Sequence, residues 1–398
     1  MRKAIFLNFP THGCINSLLA TAAELVNRGE KIIYYCTEEF RPKIEKTGAR
    51  FRPYKGNVNT FKIENDDLFY ALKLNVEMTI DKLDHNFDAI RKETPDYIIH
   101  DSLCTWGKHM ASILGIPAVN LMHSFPLTES LTSFTFDTAP IFIKTGLYKT
   151  MNKFKKNSPK KILKKNYDIH LSFKDMLINK ENLNIIYTPA CMAPDIFRSE
   201  KTYRFVGPSL FFKKEQDDFP FDRLSRRKVI YISLGTLHNN KADFYKICVT
   251  AFTGTEYCVV ISVGFQIDVN EFDDVPDNFI IRQSVPQQRL LGHVSLFITH
   301  AGMNSVNEAI CSGVPMLLLP HQFEQKMIAQ RIAMLGIGIE MRYKKITPQK
   351  LYETAEKLIS DPGYKNMASQ YQSIFNKEEK TSHLKAADEI LQYINKQI

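Results

Sequence analysis

The stretch FITHAGMNSVNEAICSGVPMLLLPHQFEQ, Phe297 to Gln325, decides the fold class. An apolar strand ends at His300, and the small residues Ala301 and Gly302 form a turn that allows close backbone approach. A helix begins near Met303, and a second apolar strand, VPMLLLP, follows at 314–320. A strand, a helix and another strand in this order are typical of a parallel sheet covered by helices.

The same alternation runs along the rest of the chain. In the first half the predicted strands are KAIFLNF (3–9), KIIYYC (31–36), YIIHD (97–101) and PAVNLM (117–122). In the second half they are KVIYISL (228–234), YCVVISV (257–263), NFIIR (278–282), SLFITH (295–300) and VPMLLLP (314–320). The pattern predicts an α/β protein of two doubly wound, Rossmann-like domains facing one cleft, with ligands at the carboxyl ends of the strands.

The length of 398 residues exceeds what one hydrophobic core usually organises, so two domains of about 200 residues are expected. We predict an N-terminal domain at 1–204, a linker at 205–225 and a C-terminal domain at 226–380. The linker contains FVGPSLFFKKEQDDFPFD, which is rich in charge, proline and aromatic residues. Residues 381–398 are predicted to form a helix that packs back on the N-terminal domain.

Composition excludes several classes of protein. Seven scattered cysteines without a C-x-x-C pair argue against a disulfide framework and a zinc site. The apolar runs are too short for a transmembrane helix, and no signal-peptide cleavage site follows the N-terminus, so a cytoplasmic protein is expected. The net charge of +9 comes without a recognised nucleic-acid motif, so anionic small ligands explain it more simply than nucleic acid does.

The turn after His300 suits an anion. The start of the following helix presents free amide groups and the positive end of the helix dipole. The His300 imidazole and the Ser305 hydroxyl can add hydrogen bonds to a diphosphate, and Glu308, one turn further, can accept hydrogen bonds from ribose hydroxyls.

These motifs resemble those of the GT-B nucleotide-sugar glycosyltransferases, specifically the bacterial macrolide and flavonoid glycosyltransferase group of the UDP-glycosyltransferase superfamily. The resemblance covers essentially the whole chain: FPTHGCINS at 9–17, SLGT at 233–236, SVPQ at 284–287, THAGMNSVNE, GVPMLLLP and the pair Glu324-Gln325. It implies an N-terminal acceptor-binding domain and a C-terminal nucleotide-sugar-binding domain. The implied activity is inverting transfer of a hexose, with glucose favoured, from a UDP-sugar to a small hydrophobic or anionic natural product.

Carried over residue by residue, the resemblance implies a donor site. Glu308 would bind the ribose, Glu324 and Gln325 the hydroxyls of the transferred sugar, and Gln287 with the backbone of Val285 the uracil. Many relatives carry a tryptophan where this chain has Ser284, so the choice between uridine and thymidine stays open. The implied pyrophosphate site consists of Thr236, His300, Gly302, Asn304 and Ser305.

No metal or other cofactor is expected, because the helix dipole, His300 and Ser305 can stabilise the leaving diphosphate. In keeping with this expectation, the sequence has no Asp-x-Asp clamp in a hydrophobic setting. The UDP-sugar, with UDP-glucose favoured, is then a co-substrate.

The turn FPTHGCINS departs from the family at its catalytic position. Relatives carry a histidine base directly after the glycine, oriented by an aspartate at the end of a later strand. Here Cys14 occupies the base position and Ser17 replaces the usual proline, whereas Asp101 matches the orienting aspartate. A histidine, His12, lies two residues upstream, and in an extended turn positions 12 and 14 would share one face.

Four interpretations are open. His12 replaces the base, since an imidazole beside a carboxylate suits neutral pH. Cys14 accepts the proton as a thiolate at a helix N-terminus. The acceptor arrives already ionised and needs no strong base. Alternatively, the site is disabled and the protein is a non-catalytic nucleotide-sugar-binding auxiliary.

The acceptor side is less specific. Residues 141–165 contain nine lysines and no acid, with Ile143, Leu147, Met151 and Phe154 spaced along one helical face until Pro159. Either this helix packs on the N-terminal domain with its lysines in water, or lysine-rich 144–165 makes a weak contact with a membrane surface, as in a glycolipid glycosyltransferase. The oligomeric state is left open. Residues proposed to line an apolar acceptor pocket are Met122, His123, Phe125, Phe134 and Phe136.

Overall fold

The computed structural model describes residues 1–57, 68–125, 159–170, 179–210, 218–224, 227–235, 241–272 and 276–398. The chain divides into two compact units. The first unit is Met1–Phe211 together with Thr381–Ile398, and the second unit is Phe212–Lys380. The division falls inside the segment proposed as the linker, 205–225.

The first unit is built on a seven-stranded parallel sheet. The strands are β1 (Lys3–Leu7), β2 (Lys31–Cys36), β3 (Arg50–Pro53), β4 (Tyr97–Asp101), β5 (Ala118–Met122), β6 (Asn184–Ile186) and β7 (Tyr203–Phe205). Their order in the sheet is β3-β2-β1-β4-β5-β6-β7, and every neighbouring pair is parallel. The order reverses between β1 and β4, which is the switch point where such sheets bind ligands.

The sheet of the first unit has a hydrophobic core on each face. One core includes Ile15 and Leu18, and the other includes the chain's single tryptophan, Trp106, which is fully buried. The helices among the described residues of this part of the chain are α1 (His12–Asn27), α2 (Arg41–Glu45), α3 (Leu68–Lys92), α4 (Thr105–Leu114), α5 (Pro159–Tyr167) and α6 (Asp195–Arg198).

The second unit repeats the design with six strands in the order β10-β9-β8-β11-β12-β13, all parallel. They are β8 (Val229–Ser233), β9 (Cys258–Ser262), β10 (Phe279–Arg282), β11 (Leu296–Thr299), β12 (Met316–Leu318) and β13 (Gly338–Glu340). The helices are α7 (Ala242–Phe252), α8 (Gln287–Leu291), α9 (Met303–Cys311), α10 (Phe323–Met334), α11 (Pro348–Ser360) and α12 (Pro362–Glu379). Here the switch point lies between β8 and β11.

The last helix, α13 (Ser382–Gln397), packs on the first unit. Its buried residues Ala386, Ala387, Ile390 and Ile394 belong to the same hydrophobic core as residues of α1. At its solvent-exposed flank Arg28 pairs with Asp388 at 2.5 Å, and Arg204 pairs with Glu389 at 2.9 Å. The structure thus places residues 381–398 on the N-terminal sheet.

Differences from the predicted elements are local. The strands β3, β6, β7 and β13 have no counterpart in the prediction, because three or four residues carry too little alternation to stand out. Pro159 begins α5, where its missing N–H costs nothing. The proposed apolar face of residues 143–154 lies outside the described residues.

The described part of the lysine-rich segment behaves as an amphipathic surface helix. In α5, Leu163 is fully buried, whereas Lys161, Lys164 and Lys165 are exposed. In the part of the chain that the structure describes, no helix is both long and apolar enough to cross a bilayer.

Candidate active site

His300 lies at the carboxyl edge of the second sheet, directly after β11, with its ring beside two glycines. A Cβ on Gly235, which follows β8, would lie 2.6 Å from the Cε1 of His300, and a Cβ on Gly302 would lie 2.5 Å from its Nε2. Between His300 and Gly302, Ala301 has a φ of 66°, an uncommon value for a residue with a side chain. Strained backbone of this kind clusters at binding and catalytic sites.

The helix α9 begins at this turn. Its N-cap is Gly302, which offers no side chain to cap the first amide groups. Asn304 and Ser305 lie half-buried in the first turn. Uncapped amides at a helix N-terminus form a binding site for an anion.

A hydrogen-bonded network ties α8 to α9. The Gln287 Nε2 donates to the Glu308 Oε2 at 2.6 Å and makes a 3.5 Å contact with the Ser305 Oγ. The Gln288 Nε2 donates to the other Glu308 oxygen at 3.2 Å, and the Tyr231 hydroxyl donates to the Gln287 Oε1 at 2.9 Å. Burial raises the pKa of Glu308, and the two amides oppose that rise. The network fixes the orientation of the carboxylate proposed for the ribose.

The pair Glu324-Gln325 lies in the first turn of α10. Gln325 is buried, and its Oε1 accepts from the backbone amides of His321 at 2.8 Å and Gln322 at 3.1 Å. With Gln322 it forms a capping box at the start of this helix. The amide of Gln325 is thus engaged in local structure, whereas Glu324 is half-buried beside it.

Thr236 and Val285 are the two remaining residues of the predicted donor site. Thr236 lies outside the described residues. The Val285 carbonyl accepts from the Gln287 amide at 2.8 Å, so this oxygen also serves the start of α8.

Asp101 lies at the carboxyl end of β4, at the switch point of the first sheet, and is fully buried. It accepts hydrogen bonds from the Asn8 Nδ2 at 2.6 Å, from the Leu103 amide at 2.7 Å and from the Phe9 amide. These donors come from the ends of β1 and β4, so the carboxylate is held in one orientation at the turn that precedes α1.

His12 does not share a face with Cys14. The turn is not extended, because α1 begins at His12 with Thr11 as its N-cap, and successive helical residues point about 100° apart. The His12 Nε2 lies 3.1 Å from the Glu39 Oε1, the side chain is 55% exposed, and the ring packs edge-on against Phe40. His12 is therefore oriented toward Glu39, which follows β2.

The structure brings a different histidine to Asp101. Ligand-type atoms of Cys14, Asp101 and His123 all lie within 4.8 Å of one another. His123 follows β5, the neighbour of β4, and its Nδ1 lies 2.8 Å from the Ser17 Oγ. From the sequence, His123 is expected only to line an apolar acceptor pocket. The sequence feature that could have identified His123 is its position directly after a strand at the switch point.

Comparison with known proteins identifies the family. Residues 222–387 match the family model described as UDP-glucoronosyl and UDP-glucosyl transferase. The chain is 34% identical over 370 residues to the NDP-glycosyltransferase YjiC of Bacillus licheniformis, an alignment that covers 90% of this chain and 89% of the relative. The chain belongs to this glycosyltransferase family. It is an enzyme of the UDP-sugar glycosyltransferase class, as the resemblance of its motifs indicated.

Solved structures of glycosyltransferases share its fold. The glycosyltransferase of kitacinnamycin superposes with a TM-score of 0.80 at 23% identity, covering 98% of both chains. CalG4, the calicheamicin glycosyltransferase, has a TM-score of 0.76 at 25% identity over 99% of this chain and 98% of the other. The predicted GT-B fold is thereby confirmed.

Proposed function

We propose that this glycosyltransferase moves a glucosyl group from UDP-glucose to a hydroxyl of a small hydrophobic or anionic natural product, with inversion at the anomeric carbon. The observation that carries the proposal is the geometry around His300. Its ring lies beside Gly235 and Gly302 at the uncapped start of α9, with Ser305 in the first turn. Two structural relatives are named as the glycosyltransferases of kitacinnamycin and calicheamicin, and these names support a natural product as the acceptor.

In the proposed reaction the acceptor oxygen attacks the anomeric carbon from the face opposite the diphosphate. The bond from that carbon to the phosphate oxygen breaks, and UDP leaves with the electron pair. The α9 amides, the His300 imidazole and the Ser305 hydroxyl stabilise the negative charge that develops on the diphosphate. These groups supply the charge stabilisation that a metal ion provides in other enzymes, so we propose a reaction that needs no metal.

Glu308 is suited to hold the ribose. A carboxylate has about four lone-pair sites, and Gln287 and Gln288 occupy one on each oxygen. Each oxygen therefore keeps the capacity to accept a hydrogen bond from a ribose hydroxyl. The fixed orientation of the carboxylate lowers the entropy that binding would otherwise cost.

Titration calorimetry with His300→Ala tests the donor site. Loss of charge-assisted hydrogen bonds should weaken UDP binding by about 1.5–3 kcal/mol, or roughly 10- to 150-fold. His293→Ala is the matched control, because His293 precedes β11 and lies toward the amino ends of the strands. Unchanged UDP affinity in a folded His300→Ala protein would refute the donor assignment.

Activity assays test the rest of the proposal. The wild-type protein should transfer glucose from UDP-glucose to hydroxyl acceptors, and UDP should bind more tightly than dTDP. UDP binding without transfer or donor hydrolysis would instead identify a non-catalytic auxiliary protein.

A further inference from the structure

We infer that His123 is the general base of this enzyme and takes the place of the histidine that relatives carry at the position of Cys14. The inference rests on the proposed function and names the residue that would accept the proton. His123 belongs to none of the sequence motifs and lies 109 residues from Cys14 in the chain.

The position of the imidazole supports this role. Asp101 pairs in register with Leu121 of β5, and His123 lies two residues beyond that partner. The chain therefore delivers its ring to the same sheet edge as the Asp101 carboxylate, and the two groups lie within 4.8 Å of each other and of the Cys14 sulfur.

The proposed role requires the tautomer of His123 that is protonated at Nδ1, and the surroundings of Ser17 accommodate it. The Ser17 Oγ lies 3.2 Å from the backbone carbonyl of Gly13 and 3.1 Å from that of Cys14, and a carbonyl can only accept a hydrogen bond. When the single hydroxyl hydrogen is directed to one of these carbonyls, the Ser17 oxygen accepts from the His123 Nδ1–H at 2.8 Å. In a neutral ring the Nε2 then carries the lone pair.

The Nε2 has no hydrogen-bond partner among the described residues, although it is buried. Buried polar atoms without a partner are rare in folded proteins and call for an explanation. A general base must keep one nitrogen unprotonated and uncommitted until the acceptor arrives. The Nε2 of His123 meets both requirements.

The neighbours of the ring support both of its charge states. Burial lowers the pKa of His123, which keeps the ring neutral before the reaction, whereas Asp101 opposes that shift. The buried carboxylate would stabilise the imidazolium after proton transfer.

Cys14 is compatible with this arrangement. Its side chain is small and packs in the hydrophobic core of the first unit. A histidine at position 14 would bring a second imidazole to the same carboxylate. With a cysteine at this position, the Asp101 carboxylate stays available to the imidazole of His123.

In the proposed step, proton transfer to His123 accompanies transfer of the sugar. The acceptor O–H bond breaks and its proton moves to the His123 Nε2, while the oxygen forms a bond to the anomeric carbon. The bond to the diphosphate breaks, UDP departs with the electron pair, and the imidazolium later returns the proton to water.

Nitrogen NMR of ¹⁵N-histidine-labelled protein tests the base without any acceptor. The His123 signals, identified by their absence from His123→Gln, should show the tautomer protonated at Nδ1. A ring protonated at Nε2 at neutral pH has no lone pair at that atom and would overturn the inference.

Kinetics with two matched acceptors test the proton transfer. Phenol is un-ionised at neutral pH and needs a base, whereas pentafluorophenol is ionised and does not. His123→Gln should lower turnover with phenol by about 100-fold or more, and change turnover with pentafluorophenol less than threefold. An equal loss with both acceptors, or no loss with phenol, would contradict the role of His123.

Two further variants distinguish a failure of the His123 assignment from a failure of the proposed function. His12→Ala should leave both reactions unchanged, because His12 is turned to Glu39. Cys14→His in the His123→Gln background should restore transfer to phenol by supplying an imidazole to Asp101 from α1. If the wild-type protein glucosylates neither phenol, the proposed acceptor class fails, and the NMR tautomer still decides the assignment of the base.

Discussion

Asp101 is buried and His123 is half-buried at the same sheet edge, and their hydrogen bonds differ. Asp101 receives hydrogen bonds from two backbone amides and from Asn8, which compensate the removal of its charge from water. Among the described residues His123 is hydrogen-bonded to Ser17 alone, and burial lowers the pKa of its imidazole. A carboxylate with three hydrogen bonds therefore lies beside an imidazole whose neutral form is favoured, which is an arrangement suited to a proton acceptor.

This difference predicts a pH dependence of stability. Burial lowers the pKa of His123 in the folded protein below the ordinary value of 6.5, so the unfolded chain binds the proton more readily. The free energy of unfolding should therefore fall as pH decreases through about 6.5 toward the folded-state pKa. Among the described residues, the charged or titratable groups facing the ring are Cys14 from α1 and Asp101 from β4.

Urea denaturation followed by Trp106 fluorescence reports on the first unit, because the chain's single tryptophan is buried there. Between about pH 7.5 and pH 5 the wild-type protein should lose more stability than His123→Gln. Parallel pH profiles of the two proteins would show that this histidine titrates alike in the folded and unfolded states.

Among the single elements, the proposed donor site consists of helix starts placed after parallel strands. The turn between β11 and α9 leaves its amides uncapped, whereas the turn before α10 is closed by the capping box of Gln322 and Gln325. The first turn is therefore available to a ligand, and the second is stabilised by its own side chains.

A substitution at Gly302 should disturb the site without disturbing the helix. The φ of −67° at this residue is allowed for alanine, but the added Cβ would lie 2.5 Å from the His300 Nε2. We expect Gly302→Ala to displace the ring and weaken UDP binding by about tenfold or more, measured by calorimetry. Gly292→Ala, whose Cβ meets only a carbonyl oxygen at 3.4 Å, should bind UDP normally. Equal affinities of both variants would show that the position of His300 is unimportant.

Gln325 has two proposed roles, which a pair of variants can separate. Gln325→Ala and Gln322→Ala each remove half of the capping box and should each lower stability by about 1 kcal/mol. If Gln325 also binds sugar hydroxyls, only Gln325→Ala should greatly reduce use of UDP-glucose while leaving inhibition by UDP nearly intact. Equal kinetic losses in both variants would restrict Gln325 to a structural role.

In the whole molecule, the C-terminal segment of the chain belongs to the first unit. The segment Thr381–Ile398 completes the core on one face of the N-terminal sheet, where Ile390 is fully buried. The stability of the first unit therefore depends on residues about 170 positions beyond its main segment.

Ile390→Ala tests this dependence. Loss of the buried side chain should destabilise the first unit by about 2–5 kcal/mol, measured by Trp106 fluorescence in urea. UDP affinity, a property assigned to the second unit, should stay unchanged. Leu384→Ala on the exposed side of α13 is the control and should have little effect, since Leu384 is 36% exposed. No loss of stability in Ile390→Ala would mean that α13 contributes little to this core.

The fold class, the longer strands and the turn before α9 could be predicted from the sequence. Each of these depends on residues close together in the chain: apolar runs of five or six residues, glycines at helix ends, and the motif from Thr299 to Glu308. The short strands, the orientation of His12 and the neighbours of Asp101 became known from the three-dimensional structure. The start of α1 at His12 turns that residue to Glu39, and β5 brings His123 to Asp101 across 22 positions of sequence. Local patterns describe one element at a time, whereas a buried site joins the ends of separate strands, whose proximity is set by the order of the strands in the sheet.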